Sequence, residues 1–501
     1  MSQVKALETN ELPLGAKRVV KSGKTEILLI HCDAGIVAVQ SKCPHAGGPL
    51  EEGAVCNGRL VCPWHMGTFA LPGGELLEPP PMEPLKTYPV HVHDGHIFVD
   101  GEPKAVDSAP PEPVGDSELF LIVGAGAAGA MAAATLREKH FAGRIVVVDP
   151  VKEEPVDRMQ LSKDALAGKL PLDQIALDVF SHPKIDRVHA SVKEFSATQR
   201  KAVLSNGATM RFDRALIATG GTPKRLDIPG AELAFTIRHP QDVKRIHESL
   251  EGKREVVILG GSFIALEAAS ALVEKGHKVT VAAKEPLPFA KQFGDRAAAA
   301  LKKLHESNGT TFRLGIEILA ITARGIEIRN GSTSETLPAD AVIAGVGVTP
   351  ALDFTHDLPV SNKGGIRVDD SLRAAENVWV AGDIAAIKNS RIEHWRVAQQ
   401  HGRVAALAMM GSEARYEGVP FFWTYHFGKR IDYLGGAENW DEIVFDGDPE
   451  EMKFIAFYLK RGRGERTVEA ILSCERESET AMLAEMTRSP ITLAQAQKAI
   501  A

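Results

Sequence analysis

Four residues in the first quarter of the chain could bind a metal group. Cys43 and His45 are followed after sixteen residues by Cys62 and His65. Each pair offers one thiolate and one imidazole, ligands that bind either zinc or an iron–sulfur cluster. Structural zinc sites usually use Cys-x-x-Cys knuckles, whereas each pair here is mixed. The pattern therefore favours a [2Fe–2S] cluster with two cysteines on one iron and two histidines on the other, with zinc as the alternative.

The segment that must position these ligands, residues 1–104, is predicted to be all-β. Runs of β-forming residues alternate with turn sequences such as Asp94-Gly95, a strong hairpin signal. These runs are Thr25–His31, Gly35–Gln40, Leu85–His93 and His96–Asp100. His91, His93 and His96 fall beside the hairpin turn, so they are predicted to be exposed strand residues and not metal ligands.

The complete pattern, Cys-x-His-x16-Cys-x-x-His with a proline after each cysteine, resembles the Rieske family. The resemblance implies two cluster-binding loops set into a small antiparallel β domain. High-potential relatives carry an extra disulfide across these loops, where this sequence has Gly48 and Trp64. The resemblance therefore implies a cluster at the low end of the Rieske potential range.

A proline-rich stretch separates this domain from the remainder of the chain. Residues 105–117 contain Pro110, Pro111 and Pro113 among scattered acidic residues. Such a composition cannot form a hydrophobic core and favours a semi-rigid linker. We therefore predict a domain boundary here.

A dinucleotide-binding motif follows the linker. The buried strand Phe120–Val123 leads into Gly124-Ala125-Gly126-Ala127-Ala128-Gly129, then a helical run and a strand that ends at Asp149. Gly124 allows a tight turn, Gly126 lets a pyrophosphate approach the backbone, and Gly129 lets the helix pack on the strand. The pyrophosphate would lie on the helix N-terminus, and Asp149 could accept a hydrogen bond from a ribose hydroxyl.

A second motif of the same kind begins with the strand Val256–Leu259. Gly260-Gly261-Ser262 follows, then a helix to about Lys275 and a return strand, Lys278–Ala282. Two such units in one chain predict two dinucleotides, typically a flavin and a nicotinamide.

From Leu119 to about Met410 the chain resembles the pyridine-nucleotide-dependent flavoprotein reductases, in particular ferredoxin reductases and apoptosis-inducing-factor-like oxidoreductases with a fused Rieske domain. The resemblance implies a multidomain fold: an N-terminal all-β Rieske domain, two Rossmann-like α/β dinucleotide-binding domains for FAD and NAD(P), and a C-terminal α+β interface domain. The expected boundaries are 1–104 for the Rieske domain, 105–117 for the linker, 118–240 with 355–413 for FAD, 241–354 for NAD(P)H, and 414–501 for the interface domain.

The same resemblance assigns site residues. The segment Asp157–Lys163 is similar to the family's Arg-x-x-Leu-Ser-Lys sequence, which places Arg158 and Lys163 near the flavin, and Asp383 would bind the ribityl chain. Glu393 and Gln399 fall near the expected flavin ring, and the predicted catalytic residues are Lys163, Glu267 and Trp395. The alternatives are that the two cations lie on the surface and that Trp395 is a core residue. The predicted cofactor-binding residues are Gly124, Gly126, Ala127, Ala128, Gly129, Asp149, Arg158, Lys163, Val192, Ala218, Thr219, Gly220, Gly260, Ser262, Phe263, Ile264, Ala265, Lys284, Gly347, Gly382, Asp383 and Trp395; the predicted metal ligands are Cys43, His45, Cys62 and His65.

One departure from the family bears on function. No cysteine lies between Cys62 and Cys474, so flavin electrons cannot leave through an internal disulfide as they do in the dithiol branch. We therefore expect flavin electrons to leave through the fused cluster. We therefore expect an NAD(P)H-dependent FAD oxidoreductase that reduces a one-electron acceptor through its own cluster. The alternative is an NAD(P)H-sensing flavoprotein whose output is partner binding; an oxygenase subunit would need a 2-His-1-carboxylate iron site, which the sequence does not suggest.

The end of the return strand Lys278–Ala282, which follows the second glycine motif, predicts the preference between NADH and NADPH. NADH sites usually have an acidic residue there for the ribose 2′-hydroxyl, whereas this chain has Ala283 followed by Lys284. We therefore expect NADPH to be at least tolerated. The alternative is that Lys284 faces solvent and Glu285 binds the ribose.

Composition excludes several other classes. A net charge of −7 argues against nucleic acid or an anionic membrane as the main partner. Cys32, Cys56 and Cys474 are expected to be ordinary buried thiols. Leu119–Leu136 is uncharged but rich in Gly and Ala, which favours a buried strand, turn and helix over a membrane span. The first ten residues contain no apolar run, so we expect no signal peptide and a cytoplasmic protein. We expect it to be a monomer or a homodimer.

Overall fold

The Rieske-like segment forms three small antiparallel sheets in a computed structural model, which describes residues 3–105, 118–180, 184–252, 255–462 and 466–501. Both turn residues of the predicted hairpin, Asp94 and Gly95, have positive φ, as a two-residue hairpin turn requires. The strands, grouped by sheet, are Gln3–Glu8, His96–Asp100 and Val90–His93; Lys17–Ser22, Thr25–Cys32 and Gly35–Gln40; and Ala54–Cys56, Arg59–Val61, Thr68–Ala70 and Leu76–Glu78.

One predicted strand is shorter than expected. Val90–His93 begins five residues later than predicted, because Pro89 has no N–H to donate to a ladder. The predicted linker falls, except for residue 105, on residues 106–117, which lie outside the described residues.

The first dinucleotide-binding unit is built on a six-stranded sheet whose central strand, Leu119–Val123, is buried on both faces. The strand order is Ile185–His189, Arg144–Asp149, Leu119–Val123, Arg214–Ile217, Val378–Val380 and Arg373–Ala375, the last of which is antiparallel. The helices Ala127–Glu138 and Trp395–Met409 pack against each other on it. Smaller sheets are formed by Val192–Ser196, Lys201–Leu204 and Thr209–Arg211, by Gly221–Pro223 with Val348–Pro350, and by Ile366–Val368 with Ala385–Ile387.

Gly382 and Asp383 do not lead directly into an α-helix. A single 3-10 turn, Gly382–Ile384, is followed by the strand Ala385–Ile387, whose backbone pairs with Ile366–Val368. The α-helix begins only at Trp395.

The second unit has a four-stranded parallel sheet in the order Thr311–Leu314, Lys278–Ala283, Glu255–Leu259 and Ala341–Ala344. Ser262 caps the helix that follows the second glycine motif by accepting a hydrogen bond from the Ala265 N–H. The α-helices here are Pro240–Ser249, Phe263–Glu274, Ala290–Phe293 and Asp295–Ser307, with Asp164–Ala167 packed against them, and an antiparallel sheet is formed by Glu317–Thr322, Gly325–Asn330 and Thr333–Pro338.

The C-terminal segment has a five-stranded antiparallel sheet and two helices, which agrees with the predicted α+β fold of this domain. The strand order is Phe421–His426, Lys429–Gly435, Arg466–Cys474, Lys453–Arg461 and Glu442–Asp448, and the helices are Glu477–Met486 and Leu493–Ile500. Short 3-10 helices elsewhere in the chain are Thr9–Glu11, Leu50–Glu52, Arg158–Gln160, Leu172–Ile175, Ala231–Leu233 and Pro449–Glu451.

The Rieske-like and C-terminal segments share a hydrophobic core. Ala54, Val61 and Met66 pack in one buried cluster with residues of the C-terminal sheet such as Phe421 and Trp423. Burial of apolar surface on both sides stabilises this contact by roughly 25 cal/mol per Å². Within the described ranges no helix is long and apolar enough to cross a membrane.

Candidate functional site

A large cleft, with an empty volume of about 1740 Å³ that is partly open to solvent, brings most of the predicted cofactor residues together. It lies where the first glycine motif, the second glycine motif and the C-terminal segment meet. The predicted residues that line it are Gly124, Gly126, Ala127, Ala128, Asp149, Arg158, Ala218, Thr219, Gly220, Ser262, Phe263, Ile264, Glu267, Gly347, Gly382, Asp383, Glu393 and Trp395.

The first glycine motif leaves room for an anion in this cleft. The first-turn N–H groups of the helix that begins at Ala127 have no intrahelical partner, and no N-cap side chain accepts from them. A Cβ placed on Gly126 would meet nothing closer than an Nη1 of Arg158 at 3.9 Å. Free N–H groups, the helix dipole and an open approach are what a pyrophosphate needs, so the residues present fit the predicted dinucleotide.

Several of the predicted cofactor-binding residues do not line the cleft. A Cβ on Gly129 would lie 1.9 Å from the carbonyl oxygen of Gly124, so this glycine permits helix and strand to touch. Val192 begins a strand that pairs with Leu204, and Lys284 is exposed at the end of its strand. Gly129, Lys163, Val192, Gly260, Ala265 and Lys284 do not line the cleft, and neither does Gln399.

Charged groups at the cleft are arranged around two acids. Asp149 is buried, and its two carboxylate oxygens accept the N–H groups of Ala125 and Val151. Arg238 lies 3.6 Å from Asp383, and burial together with Arg238 lowers the pKa of Arg158 to about 10, which leaves it cationic at neutral pH. The cleft therefore offers fixed positive charge near its acids. Arg238 was not predicted, because it lies outside both glycine motifs.

Lys163 and Glu267, both predicted to be catalytic, form a buried ion pair. Their Nζ and Oε1 atoms are 2.9 Å apart. The hydroxyls of Ser162 and Thr424 donate to the two carboxylate oxygens of Glu267 over 2.5 and 2.7 Å. Glu267 lines the cleft, whereas Lys163 does not, and the Lys163 ammonium also donates to the carbonyl of Met159. The pair holds a fixed charge and a proton acceptor at the cleft wall.

The four predicted metal ligands meet in two pairs. The Nδ1 atoms of His45 and His65 are 3.1 Å apart, and the thiols of Cys43 and Cys62 share a hydrogen bond. That bond raises the pKa of Cys43 and lowers the pKa of Cys62. Burial, aided by Arg430, lowers the pKa of His45 to about 4 and that of His65 well below its ordinary value. Both imidazoles are therefore neutral, as metal ligands must be.

This pairing fits the predicted two-iron cluster. A structural zinc ion needs four ligands converging on one point. In the described part of the chain no three His, Cys, Asp or Glu side chains converge in that way. Two imidazoles facing each other and two thiols facing each other match the ligand set of a Rieske cluster.

One aromatic residue links the predicted cluster site to the cleft. The rings of His65 and Trp423 have centroids 4.3 Å apart, and Trp423 is buried and lines the cleft. Trp423 was not among the predicted site residues. Its position between cluster and cleft depends on domain packing, which no local pattern encodes.

The exposed position of Lys284 allows a test of nicotinamide preference. We expect Lys284→Ala to lower kcat/KM for NADPH about two- to fivefold, in line with the value of an exposed ion pair, and to leave kcat/KM for NADH nearly unchanged. Lys278→Ala, at the other end of the same strand, is the control. A parental protein that prefers NADH a hundredfold would contradict the prediction.

Comparison with known proteins identifies the family. Residues 120–402 match the pyridine nucleotide-disulphide oxidoreductase family, residues 2–89 the Rieske [2Fe–2S] domain, and residues 421–499 the reductase C-terminal domain. Human apoptosis-inducing factor 3 is 32% identical over 483 residues, which cover 90% of this chain and 78% of that protein.

Bacterial reductases are similar over about two thirds to three quarters of the chain. The ferredoxin reductase subunit of a Sphingobium 5,5′-dehydrodivanillate O-demethylase is 32% identical over 68% of this chain and 87% of its own. The crystal structure of the ferredoxin reductase for the CYP199A2 system of Rhodopseudomonas palustris superimposes with a TM-score of 0.70 at 26% identity, covering 77% of this chain and 100% of that one. The predicted fold class and cofactors are thereby confirmed, whereas the domain boundaries and the roles of individual site residues stay predictions.

The chain belongs to the pyridine nucleotide-disulphide oxidoreductase family and carries a Rieske domain, so it is an oxidoreductase whose cofactors are FAD, NAD(P)H and a [2Fe–2S] cluster.

Proposed function

We propose that this oxidoreductase passes electrons from NAD(P)H through FAD to its own Rieske cluster, and from there to a one-electron acceptor. The observation that carries the proposal is the contact between His65, a cluster ligand, and Trp423, which lines the cleft. A single aromatic side chain then separates the two redox sites. A domain that served only as a structural attachment would not need its ligands turned toward the cleft.

Different residues of the chain would bind FAD, the nicotinamide and the cluster. FAD, when bound, accepts a hydride as a two-electron carrier and gives up electrons one at a time. The first glycine motif and Asp149 would hold it, and the second motif would hold the nicotinamide. Cys43 and Cys62 would hold one iron and His45 and His65 the other.

The relatives suggest why a cluster is fused to this reductase. By their names, the bacterial relatives are reductases of ferredoxins. We infer that the Rieske domain here occupies the place of such a ferredoxin, which makes the first one-electron transfer intramolecular. The shared hydrophobic core and the buried Arg396–Glu78 ion pair at the boundary support a lasting contact.

The cluster site also reaches the surface. Trp64 is 37% exposed, and its ring lies 3.3 Å from where a Cβ on Gly48 would be; the Cys62 sulfur lies 2.9 Å from the same point. The cysteine side of the cluster would therefore lie close beneath an exposed aromatic residue. This is where we place the outward transfer to the acceptor.

The concentration dependence of cluster reduction tests the proposal. Protein loaded with both cofactors is mixed anaerobically with NAD(P)H, and cluster reduction is followed by absorbance and electron paramagnetic resonance. We expect a first-order rate that does not change over a tenfold range of protein concentration. A rate proportional to concentration would show transfer between molecules, and a cluster that stays oxidised would favour the sensing alternative.

A further inference from the structure

A chain of buried polar side chains leads away from Glu267, on the side of the carboxylate that Thr424 contacts. Thr424 Oγ1, which donates to Glu267, is 2.9 Å from His426 Nε2. His426 Nδ1 is 3.1 Å from His305 Nε2, and His305 Nδ1 is 3.3 Å from Thr310 Oγ1. These four side chains belong to residues that are at most 3% exposed, so the hydrogen bonds are shielded from competing water.

The carboxylate at one end sets the direction of every hydrogen bond in this chain. An ionised Glu267 can only accept, so Thr424 donates to it and must accept from His426 Nε2–H. His426 Nδ1 is then an acceptor, which requires His305 to donate from Nε2. His305 Nδ1 accepts from the Thr310 hydroxyl. In every hydrogen bond of this chain the donor therefore donates toward the cleft.

Both imidazoles are in the form that can pass a proton on. Burial lowers the pKa of His426 to about 3, with the Lys163 charge adding to the effect and a hydrogen bond with the Leu266 backbone opposing it. Burial also lowers the pKa of His305 well below its ordinary value, with His426 adding to the effect. A neutral imidazole accepts a proton on one nitrogen and releases one from the other. His305 is otherwise enclosed by the rings of Phe312 and Phe427, which carry no charge.

The far end of the chain lies at the surface. Thr310 follows the helix Asp295–Ser307, and its neighbours Gly309 and Thr311 are both exposed. The path thus connects a carboxylate in the cleft wall with a hydroxyl one residue from solvent.

We propose that Thr310, His305, His426 and Thr424 form a proton relay between the surface and Glu267. When each proton moves one step inward, Glu267 becomes protonated and every bond in the chain is reversed, so the chain is then set to return a proton. The relay can therefore deliver a proton to the cleft and later release it. A network with only a structural role would not require this reversible pair of states.

The need for such a relay rests on the proposed function. Hydride transfer brings two electrons and one proton into the cleft, adding one negative charge, which a proton taken up by Glu267 would balance. Two one-electron acceptors then remove only electrons, so two protons must leave. The overall balance is NAD(P)H plus two oxidised acceptors giving NAD(P)⁺, two reduced acceptors and one H⁺.

The test measures proton uptake directly, separately from turnover. Protein loaded with both cofactors is reduced anaerobically by NAD(P)H in weakly buffered solution with a pH-indicator dye, while flavin bleaching is recorded in the same experiment. His426→Gln keeps a donor and an acceptor in place, but an amide does not pass protons on as an imidazole does. We expect its proton uptake to lag flavin bleaching at least tenfold, whereas the two coincide in the parent.

Matched variants separate the relay from a general structural effect. His305→Gln and Thr310→Val should also delay proton uptake, and Thr310→Ser should restore it. His401→Phe, which removes another fully buried imidazole outside this hydrogen-bonded chain, should leave uptake unchanged. Retained FAD absorbance would show that each variant is folded. Parental proton uptake in both His→Gln variants would overturn the relay. Because uptake is measured as the flavin is reduced, the result is independent of whether the cluster lies on the electron path.

Discussion

Cys62→Ser is expected to lose the cluster, keep FAD, and reduce a one-electron protein acceptor such as a cytochrome at least tenfold more slowly than the parent. A serine hydroxyl is not ionised near neutral pH, so it is a poor replacement for a thiolate ligand. The FAD cleft should survive, because its glycine motif belongs to a separate sheet. Hydride transfer to the flavin, followed by anaerobic bleaching, should be nearly unchanged, as should reduction of a small two-electron quinone. A tenfold loss corresponds to about 1.4 kcal/mol in barrier height.

Two further variants make the result specific. Cys56→Ser changes a half-buried thiol of the same domain outside the cluster loops and should retain both cofactors and parental transfer. Gly126→Val places a branched side chain at the open position of the first glycine motif. It should empty the flavin site and leave a cluster that dithionite reduces but NAD(P)H does not. Parental cytochrome reduction by Cys62→Ser would take the cluster off the electron path and make sensing the leading function.

Local patterns were sufficient to predict the parts of the site that lie within one turn and its flanking strand. Of the predicted ligands, Cys43 pairs with Cys62 and His45 pairs with His65, and Gly126 opens onto the cleft. Each of these features depends on a short segment whose backbone geometry its own residues determine. The Rieske and dinucleotide folds could be predicted for the same reason.

The contacts between domains could not be predicted in this way. Trp423 reaches His65, and His426 reaches His305 across more than one hundred residues of sequence. No periodicity marks such pairs, since each residue alone has the pattern of an ordinary core residue. Val192 begins a strand and is not among the residues that line the cleft, so its contact with a cofactor stays a prediction. The electron and proton paths proposed above both depend on these long-range contacts.

A buried carboxylate of the Rieske domain provides the last prediction. Glu78 forms ion pairs with three arginines. Arg396 of the FAD-binding unit lies 2.6 Å away and Arg59 of its own domain 2.9 Å away, and the third partner is Arg488 of the C-terminal segment. Burial opposes its ionisation, but Arg396, Arg488 and Arg59 outweigh that effect and lower its pKa to about 2. Arg396 also donates to the carbonyl of Met66, the residue after the predicted cluster ligand His65. One carboxylate thus ties three parts of the molecule together beside the cluster loop.

Glu78→Gln should therefore destabilise the protein and weaken the connection between its redox sites. It leaves Arg396 buried without the carboxylate it pairs with, and breaking a buried ion pair typically costs 3–5 kcal/mol. The shift in the pKa of Glu78 from 4.5 to about 2 gives a similar value, about 3 kcal/mol. We expect both cofactors to remain bound, while intramolecular reduction of the cluster slows at least tenfold because the Rieske domain is no longer held with His65 against Trp423. Denaturant unfolding and anaerobic stopped-flow absorbance measure the two effects.

The pH dependence of this difference identifies its cause. A carboxylate whose pKa is lower in the folded state contributes stability above its ordinary pKa and loses it as the pH falls through the folded value. The stability difference between parent and Glu78→Gln should therefore be full above pH 4.5 and shrink as the pH falls toward 2. Glu450→Gln, which removes an exposed partner of Arg296, should change stability and cluster reduction little. If Glu78→Gln matches the parent in both stability and cluster reduction at neutral pH, the Rieske domain is held by the hydrophobic core it shares with the C-terminal sheet and not by this carboxylate.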